Sequence, residues 1–189
     1  MKRLVLLLSL LVCCLLGTGV LFALSAGQSS ITLGAEFCKQ DILYTEHYVN
    51  RSTIGPGVKA EYYYRSDGRF SFGAELFAGY FNYKDFHTFW DLRAVGELQV
   101  HIAEFKNSKG GSTNLSVTVG AGPGIAIRDD AKAGTYGLVK AMFSAAYEFP
   151  NGMAAGIDLE GSATFQSNES SVTMLSASLS YTIPIGGKK

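Results

Sequence analysis

Apolar and polar residues alternate along most of the chain, and the most regular run extends from Trp90 to Ile102. Every even position in this run is apolar or glycine. The odd positions, except Val95, carry charged or amide side chains: Asp91, Arg93, Glu97, Gln99 and His101. Because successive side chains of a strand point to opposite faces, the run predicts a strand with one apolar and one ionic face. It is longer than the usual strand of about five or six residues and long enough to cross a bilayer at the tilt of a barrel strand.

Other segments repeat this alternation, and together they predict eight antiparallel strands of roughly ten to fourteen residues each. Short turns are predicted at 66–68 and 150–152, and a longer turn at 106–113, where glycine occurs with polar residues or proline. Longer polar connections are predicted at 39–52, 81–89, 128–134 and 166–170. Pro56 and Pro123 each lie within Gly-Pro-Gly. Since proline cannot donate a ladder hydrogen bond, both predict bulges or strand ends near a rim.

The N-terminal segment has the features of an export signal. Lys2 and Arg3 precede an apolar run from residue 4 to 24, and small residues follow at Ala23 and Ser25. This predicts a cleavable signal peptide over 1–25 and a barrel domain over 27–189. The alternative is an uncleaved anchor helix, since about 20 apolar residues can span a bilayer. After cleavage Cys38 is the only remaining cysteine, so no internal disulfide can form and a closed barrel would have to supply the stability.

Composition narrows the class of partner. Charged residues make up 17% of the chain, below the roughly 25% usual for soluble domains. The formal net charge is +0, so no basic surface indicates a nucleic-acid partner.

Residue size decides which face should meet lipid. An eight-stranded barrel has room inside for only a modest number of side chains. The large apolar residues of the alternating segments are too many to fit in that space. We therefore expect the apolar face to point outward and the ionic face to fill the lumen with paired charges. The alternative is a soluble, lipocalin-like barrel with the faces reversed. The predicted lumen network is Glu36, Lys59, Glu61, Arg65, Arg69, Glu75, Arg93, Glu97, His101, Lys140, Glu148, Asp158 and Glu160.

Aromatic residues gather near both ends of the predicted strands. Spanning barrels carry aromatic girdles at the two headgroup levels, although strands favour aromatic residues in any case. The predicted girdle is Tyr62, Tyr64, Phe70, Phe72, Tyr80, Trp90, Tyr147, Phe149 and Tyr181.

Taken together, these features resemble the small eight-stranded bacterial outer-membrane barrels of the OmpA transmembrane domain and OmpX type, and more loosely OmpW. The resemblance covers nearly all of the mature chain and implies an all-β, up-and-down transmembrane barrel in the outer membrane of a diderm bacterium. It also implies periplasmic termini, a lipid environment, a monomeric state and extracellular ligands bound through loops 39–52, 81–89, 128–134 and 166–170. One departure is the C-terminus, Ile183-Pro184-Ile185-Gly186-Gly187-Lys188-Lys189, where such barrels usually end in an aromatic residue.

No catalytic or metal-binding constellation stands out in the sequence. His101 could act as a base near Glu97 and Glu104, but a histidine within the lumen network is the simpler interpretation. The His-x-Ser motif of the PagL-type deacylases, which share this architecture, is absent, because Ile102 and Ala103 follow His101. We expect no enzyme activity, cofactor or metal. The leading hypothesis is a membrane anchor or surface-interaction protein. The alternatives are a narrow pore or carrier of small hydrophobic molecules, a lipid A modifying enzyme, and a soluble lipocalin-like carrier.

Overall fold

The computed structural model describes residues 28–44, 49–65, 69–83, 88–108, 110–129, 133–165 and 170–185. The predicted signal peptide lies outside these residues. The described strands are β1 (Gln28–Tyr44), β2 (Val49–Arg65), β3 (Phe70–Asn82), β4 (Thr88–Lys106), β5 (Ser112–Arg128), β6 (Ala133–Glu148), β7 (Ala154–Phe165) and β8 (Ser170–Ile185).

The strands form one closed barrel in sequence order. Each pairs antiparallel with the next, and β8 closes the ring on β1 through pairs from Ser29↔Ile185 to Tyr44↔Ser170. The predicted fold, an eight-stranded antiparallel up-and-down barrel, is therefore confirmed. A helix long and apolar enough to cross a membrane is not found among the described residues.

The period-two alternation separates the lumen from the outer surface. The outer surface is apolar: Leu179 is 70% exposed and Phe37 64%. The lumen is charged: Lys59 is 3% exposed and Glu75 only 2%. Val95, the exception in the alternating run, is buried in the lumen against Tyr136 and Leu138. An apolar outer surface around a charged interior is the arrangement of a barrel solvated by lipid, and the reversed, lipocalin-like arrangement is not observed.

Connections between the strands differ from prediction in length. The predicted loop at 39–52 is mostly strand, because the β1–β2 ladder continues from Lys39↔Ile54 to Tyr44↔Val49. The strand bounds leave the intervals 45–48, 83–87, 129–132 and 166–169 at one end, and 66–69, 107–111 and 149–153 at the other. All are four or five residues long, so the predicted difference in loop length between the two ends is wrong. Polar side chains do not end a ladder of backbone hydrogen bonds at the end of a barrel, because water can solvate the side chains while the backbone pairing continues.

The two prolines also lie elsewhere than predicted. Pro56 pairs with Phe37 and Pro123 with Gly137, both inside strands rather than at a rim. Each lies where the ladder on the other side is interrupted: the β2–β3 pairs begin only at Gly57, and the β4–β5 pairs skip residues 122–123. The missing N–H of proline is thus accommodated by a local gap in one ladder.

The last glycine of each Gly-Pro-Gly lies beneath an aromatic ring. A Cβ atom added to Gly57 would lie 2.5 Å from Cε2 of Phe77, and one added to Gly124 would collide with the ring of Tyr136. These glycines make room for rings inside a narrow lumen. By contrast, a Cβ atom at Gly137, on the outer surface, would meet open space.

We expect Gly57→Ala to lower the free energy of unfolding by about 1–3 kcal/mol, because the methyl group overpacks the lumen against Phe77. The matched control, Gly137→Ala, should change it by less than about 0.5 kcal/mol. Urea unfolding of the protein folded into lipid vesicles, followed by tryptophan fluorescence, measures both. Equal unfolding midpoints for the two variants would contradict this packing account.

Candidate functional site: a closed lumen

Lys140 of β6 lies at the centre of the charged lumen. Its Nζ is 2.5 Å from Glu75 of β3, 2.5 Å from Glu97 of β4 and 3.0 Å from Glu160 of β7. All four side chains are buried. One ammonium group therefore connects four strands across the barrel axis. Since the interior is shielded from water, these attractions are much stronger than those of a surface ion pair.

Lys59 of β2 forms a second centre. Its Nζ lies 2.9 Å from Glu61 of β2, 3.0 Å from Asp158 of β7 and 3.7 Å from Glu36 of β1. Ser178 of β8 donates a hydrogen bond of 3.0 Å to Asp158. This centre joins the first two strands of the chain to the last two, and so reinforces the seam that closes the barrel.

Arg93 and Asp91 of β4 form a third centre nearer the opposite end from the termini. The Arg93 Nη2 atom lies 2.7 Å from Asp91 Oδ2, and Nη1 donates a 2.8 Å hydrogen bond to Ser162 of β7. Asp91 also accepts hydrogen bonds from Gln40 and Tyr136. Asp91 is absent from the predicted network, although its position in the alternating run places it on the ionic face.

Carboxylates outnumber cations among the described buried side chains. Seven acids are buried: Glu36, Glu61, Glu75, Asp91, Glu97, Asp158 and Glu160. Three cations are buried: Lys59, Arg93 and Lys140. The buried cations of the described lumen are therefore too few to pair one to one with its carboxylates. Hydrogen bonds compensate in part, since Tyr63 donates to Glu97 at 2.6 Å in addition to the contacts above.

Two carboxylate triads in this network have the spacing of metal ligands. They are Glu36, Glu75 and Glu160, and Glu61, Glu75 and Glu97, with oxygen atoms within 4.8 Å of one another in each. The sequence gives no sign of them, because their members come from separate strands. Ammonium groups of Lys59 and Lys140 already contact these carboxylates, so the arrangement is that of an ion-paired core.

Four residues of the predicted network lie outside this core. Arg65 and Arg69 are exposed at the end of the barrel that carries the chain termini. Glu148 is half-buried and accepts a 3.2 Å hydrogen bond from Asn114. His101 is half-buried and bonds Ser71 at 2.9 Å, not Glu97 or Glu104. All four follow the strand alternation, but they lie too near the strand ends to reach the buried lysines.

The predicted girdle residues lie on the outer surface at two levels. Tyr80 and Trp90 stack edge to face with ring centroids 5.1 Å apart at the end away from the termini. Tyr147 and Phe149 do the same at 5.2 Å at the other end. The others lie on the outer surface at the terminal end: Tyr62, Tyr64, Phe70, Phe72 and Tyr181.

An apolar cluster in the lumen is absent from the sequence prediction. It fills the end away from the termini and consists of Cys38, Ile42, Phe77, Phe81, Tyr83 and Met174. We call it the apolar plug. Arg93 lies over the Phe77 ring at 5.0 Å, where the plug meets the charged core. The sequence did contain a signal for it: Phe77 and Phe81 occupy odd positions of β3, as does the buried Glu75, and Tyr83 continues this alternation just after the strand.

The other end of the lumen contains a polar cavity of about 570 Å³. We call it the terminal cavity. Hydroxyl, amide and charged side chains line it, among them Thr32, Glu61, Tyr63, Ser71, Gln99, His101 and Ser116, and the turn at 150–152 forms part of its rim. The lumen therefore has three layers: the terminal cavity, the charged core and the apolar plug.

We expect Lys140→Met to lower the free energy of unfolding by about 3–5 kcal/mol, because it leaves three buried carboxylates without their shared cation. Lys106→Met is the matched control. Lys106 is exposed and lies 3.7 Å from Glu104, and such a surface pair contributes at most about 1 kcal/mol. The midpoint of urea unfolding in lipid vesicles gives both values. A Lys140 variant as stable as the Lys106 variant would show that the central lysine does not hold the core together.

Comparison with known proteins supports the fold and no narrower assignment. No family model and no curated protein matches the sequence. Among solved structures, neisserial surface protein A is similar with a TM-score of 0.55 and 9% identity over 81% of this chain and 96% of that one. Ail, the attachment invasion locus protein of Yersinia pestis, is similar with a TM-score of 0.46 and 13% identity over 83% of this chain and 99% of that one. The outer-membrane enzyme PagL is similar with a TM-score of 0.44 and 13% identity over 79% of this chain and 99% of that one. At these identities the likeness to neisserial surface protein A shows a shared eight-stranded barrel fold, consistent with the resemblance inferred from sequence.

Proposed function

We propose that this protein is an integral outer-membrane barrel that acts as a closed anchor and presents its connections at the cell surface for interaction. The observation that carries the proposal is the three-layered lumen. In the part of the chain that the structure describes, the charged core and the apolar plug occupy successive levels of the lumen, and this arrangement supports a barrel closed to ions.

The apolar belt supports insertion in a membrane. Large apolar side chains cover the outer surface on all eight strands, and aromatic rings border the belt at both levels. In water such a surface would drive association, whereas acyl chains solvate it. The small lumen and the buried ion pairs make the alternative of a carrier for hydrophobic molecules poorly supported.

The end away from the termini has the character of a surface exposed to water. Near this end of β1, Lys39 and Asp41 on the outer surface form an exposed ion pair of 2.9 Å. The resemblance to the bacterial outer-membrane barrels implies that both termini lie in the periplasm. We therefore assign this end, with connections 45–48, 83–87, 129–132 and 166–169, to the extracellular side.

A closed barrel should not conduct. In planar bilayers the wild-type protein should give no steady open-channel current, because ions would have to cross both the charged core and the apolar plug. A general porin incorporated in the same membranes provides the positive control. Large, stable current steps from the purified protein would support the narrow-pore alternative instead.

Single-cysteine variants test the assigned orientation. In a background where buried Cys38 is replaced by serine, Asn82→Cys should react with a membrane-impermeant maleimide on intact cells, and Asn151→Cys should react only after lysis. Both residues are exposed and lie at opposite ends of the barrel. The reverse labelling pattern would place the termini outside the cell.

A further inference from the structure

Ser71 and His101 form a hydrogen-bonded pair on the wall of the terminal cavity. The distance between Ser71 Oγ and His101 Nε2 is 2.9 Å. Ser71 pairs with Gln99 in the β3–β4 ladder, so His101 is its diagonal neighbour on the same face. The backbone holds this geometry, since the His101 N–H donates a 2.8 Å hydrogen bond to the Arg69 carbonyl.

This contact is the one that a histidine base makes with a serine nucleophile. When Nε2 is unprotonated, the Ser71 hydroxyl donates to it, and the imidazole can take the proton as Oγ attacks an electrophile. Ser71 is 2% exposed, so a reactant can approach only from the lumen. The terminal cavity provides that approach, because both residues line it.

The cavity also contains groups that suit an acyl-transfer transition state. Arg65 and Gln99 line it together with the pair, and guanidinium and amide N–H groups can stabilise the oxyanion that forms on a carbonyl. Its volume of about 570 Å³ lies within the range of roughly 300–1,000 Å³ typical of small-molecule sites. Charged side chains line it beside the serine, threonine, asparagine and glutamine residues, among them Glu61, Asp158 and Arg65. Such walls favour a small polar compound over a long acyl chain.

We propose that Ser71 is an acyl-accepting nucleophile activated by His101, and that the terminal cavity hydrolyses small polar carboxylic esters. Ser71 Oγ bonds to the ester carbonyl carbon while His101 Nε2 takes the hydroxyl proton. The ester C–O bond then breaks, and the alcohol leaves with that proton. Water next attacks the acyl-serine and gives a proton to His101, which returns it to Ser71 Oγ as the acid departs. The net reaction is ester plus water to acid plus alcohol.

A fluorophosphonate probe tests the nucleophile directly, because Oγ attack displaces fluoride and leaves a stable adduct. The full chain, refolded in detergent, should gain the mass of one adduct, and peptide mapping should place it at Ser71. Ser71→Ala should abolish labelling. His101→Asn should slow it about 100-fold or more, the usual contribution of a positioned general base. Hydrolysis of 4-nitrophenyl acetate should fall in parallel in both variants.

Ser112 provides the matched control. It is a buried serine of β5 at the same end of the barrel, and it does not line the terminal cavity. Ser112→Ala should label at the wild-type rate. Heat-dependent gel mobility reports whether each variant is folded, and if Ser71→Ala does not fold, the comparison of His101→Asn with Ser112→Ala decides. Absence of labelling in the folded wild type, labelling at a serine other than Ser71, or a folded His101→Asn that labels at the wild-type rate would each overturn the proposal.

Discussion

The structure depends on buried cations whose partners come from different strands. Lys59, Arg93 and Lys140 are buried inside a closed barrel with an apolar outer surface, so none of them can keep its hydration shell. A buried charge without partners costs several kcal/mol, and the closed barrel is the arrangement that brings the partners within reach. Lys140 contacts carboxylates of β3, β4 and β7, and Lys59 contacts those of β1, β2 and β7. Closure of the barrel and pairing of the buried charges therefore depend on each other. An open barrel would separate the cations from their carboxylates, and unpaired buried charges would destabilise the closed barrel.

The polarity of the lumen changes along its axis, and this change carries the functional argument. At one end a cavity lined by hydroxyl groups faces the chain termini, whereas at the other end aromatic and aliphatic side chains fill the lumen. Arg93 lies where the charged core meets the apolar plug, with one side of its guanidinium paired to Asp91 and its face over Phe77. A guanidinium group suits this boundary because it is weakly hydrated and stacks on aromatic faces. Two kinds of packing thus close the lumen, the ion pairs of the charged core and the apolar contacts of the plug. A substitution that disrupts one of these layers would leave the other layer in place.

The alternating pattern was sufficient to predict the strands, the closed barrel and the direction of both faces. Whether a residue occupies an odd or an even position of its strand is enough to assign its side chain to the lumen or to the outer surface. Val95 and Phe77 follow this rule and are buried in the lumen, although neither is polar. Parity does not say which residues meet across the axis. The contacts of Lys140 with Glu75 and Glu97 join β6 to strands that are not its neighbours, and they depend on the stagger of strands around the barrel. The sequence leaves that stagger open, and so the carboxylate triad of Glu36, Glu75 and Glu160 could not be predicted. The Ser71–His101 pair depends on the register of the β3–β4 ladder, which the alternating pattern does not fix either.

The abundance of glycine and of aromatic residues has a common explanation in the volume of the lumen. An eight-stranded barrel is too narrow for a large side chain at every inward position, so large and small residues must alternate between facing positions. Gly57 lies under Phe77, Gly73 lies beside Tyr63, and Gly124 lies under Tyr136. In each case the ring occupies space that a Cβ atom would fill, and in two of them its hydroxyl group reaches a buried carboxylate. Glycine therefore does not loosen these strands: it lets the rings that complete the charged core and the apolar plug enter the barrel.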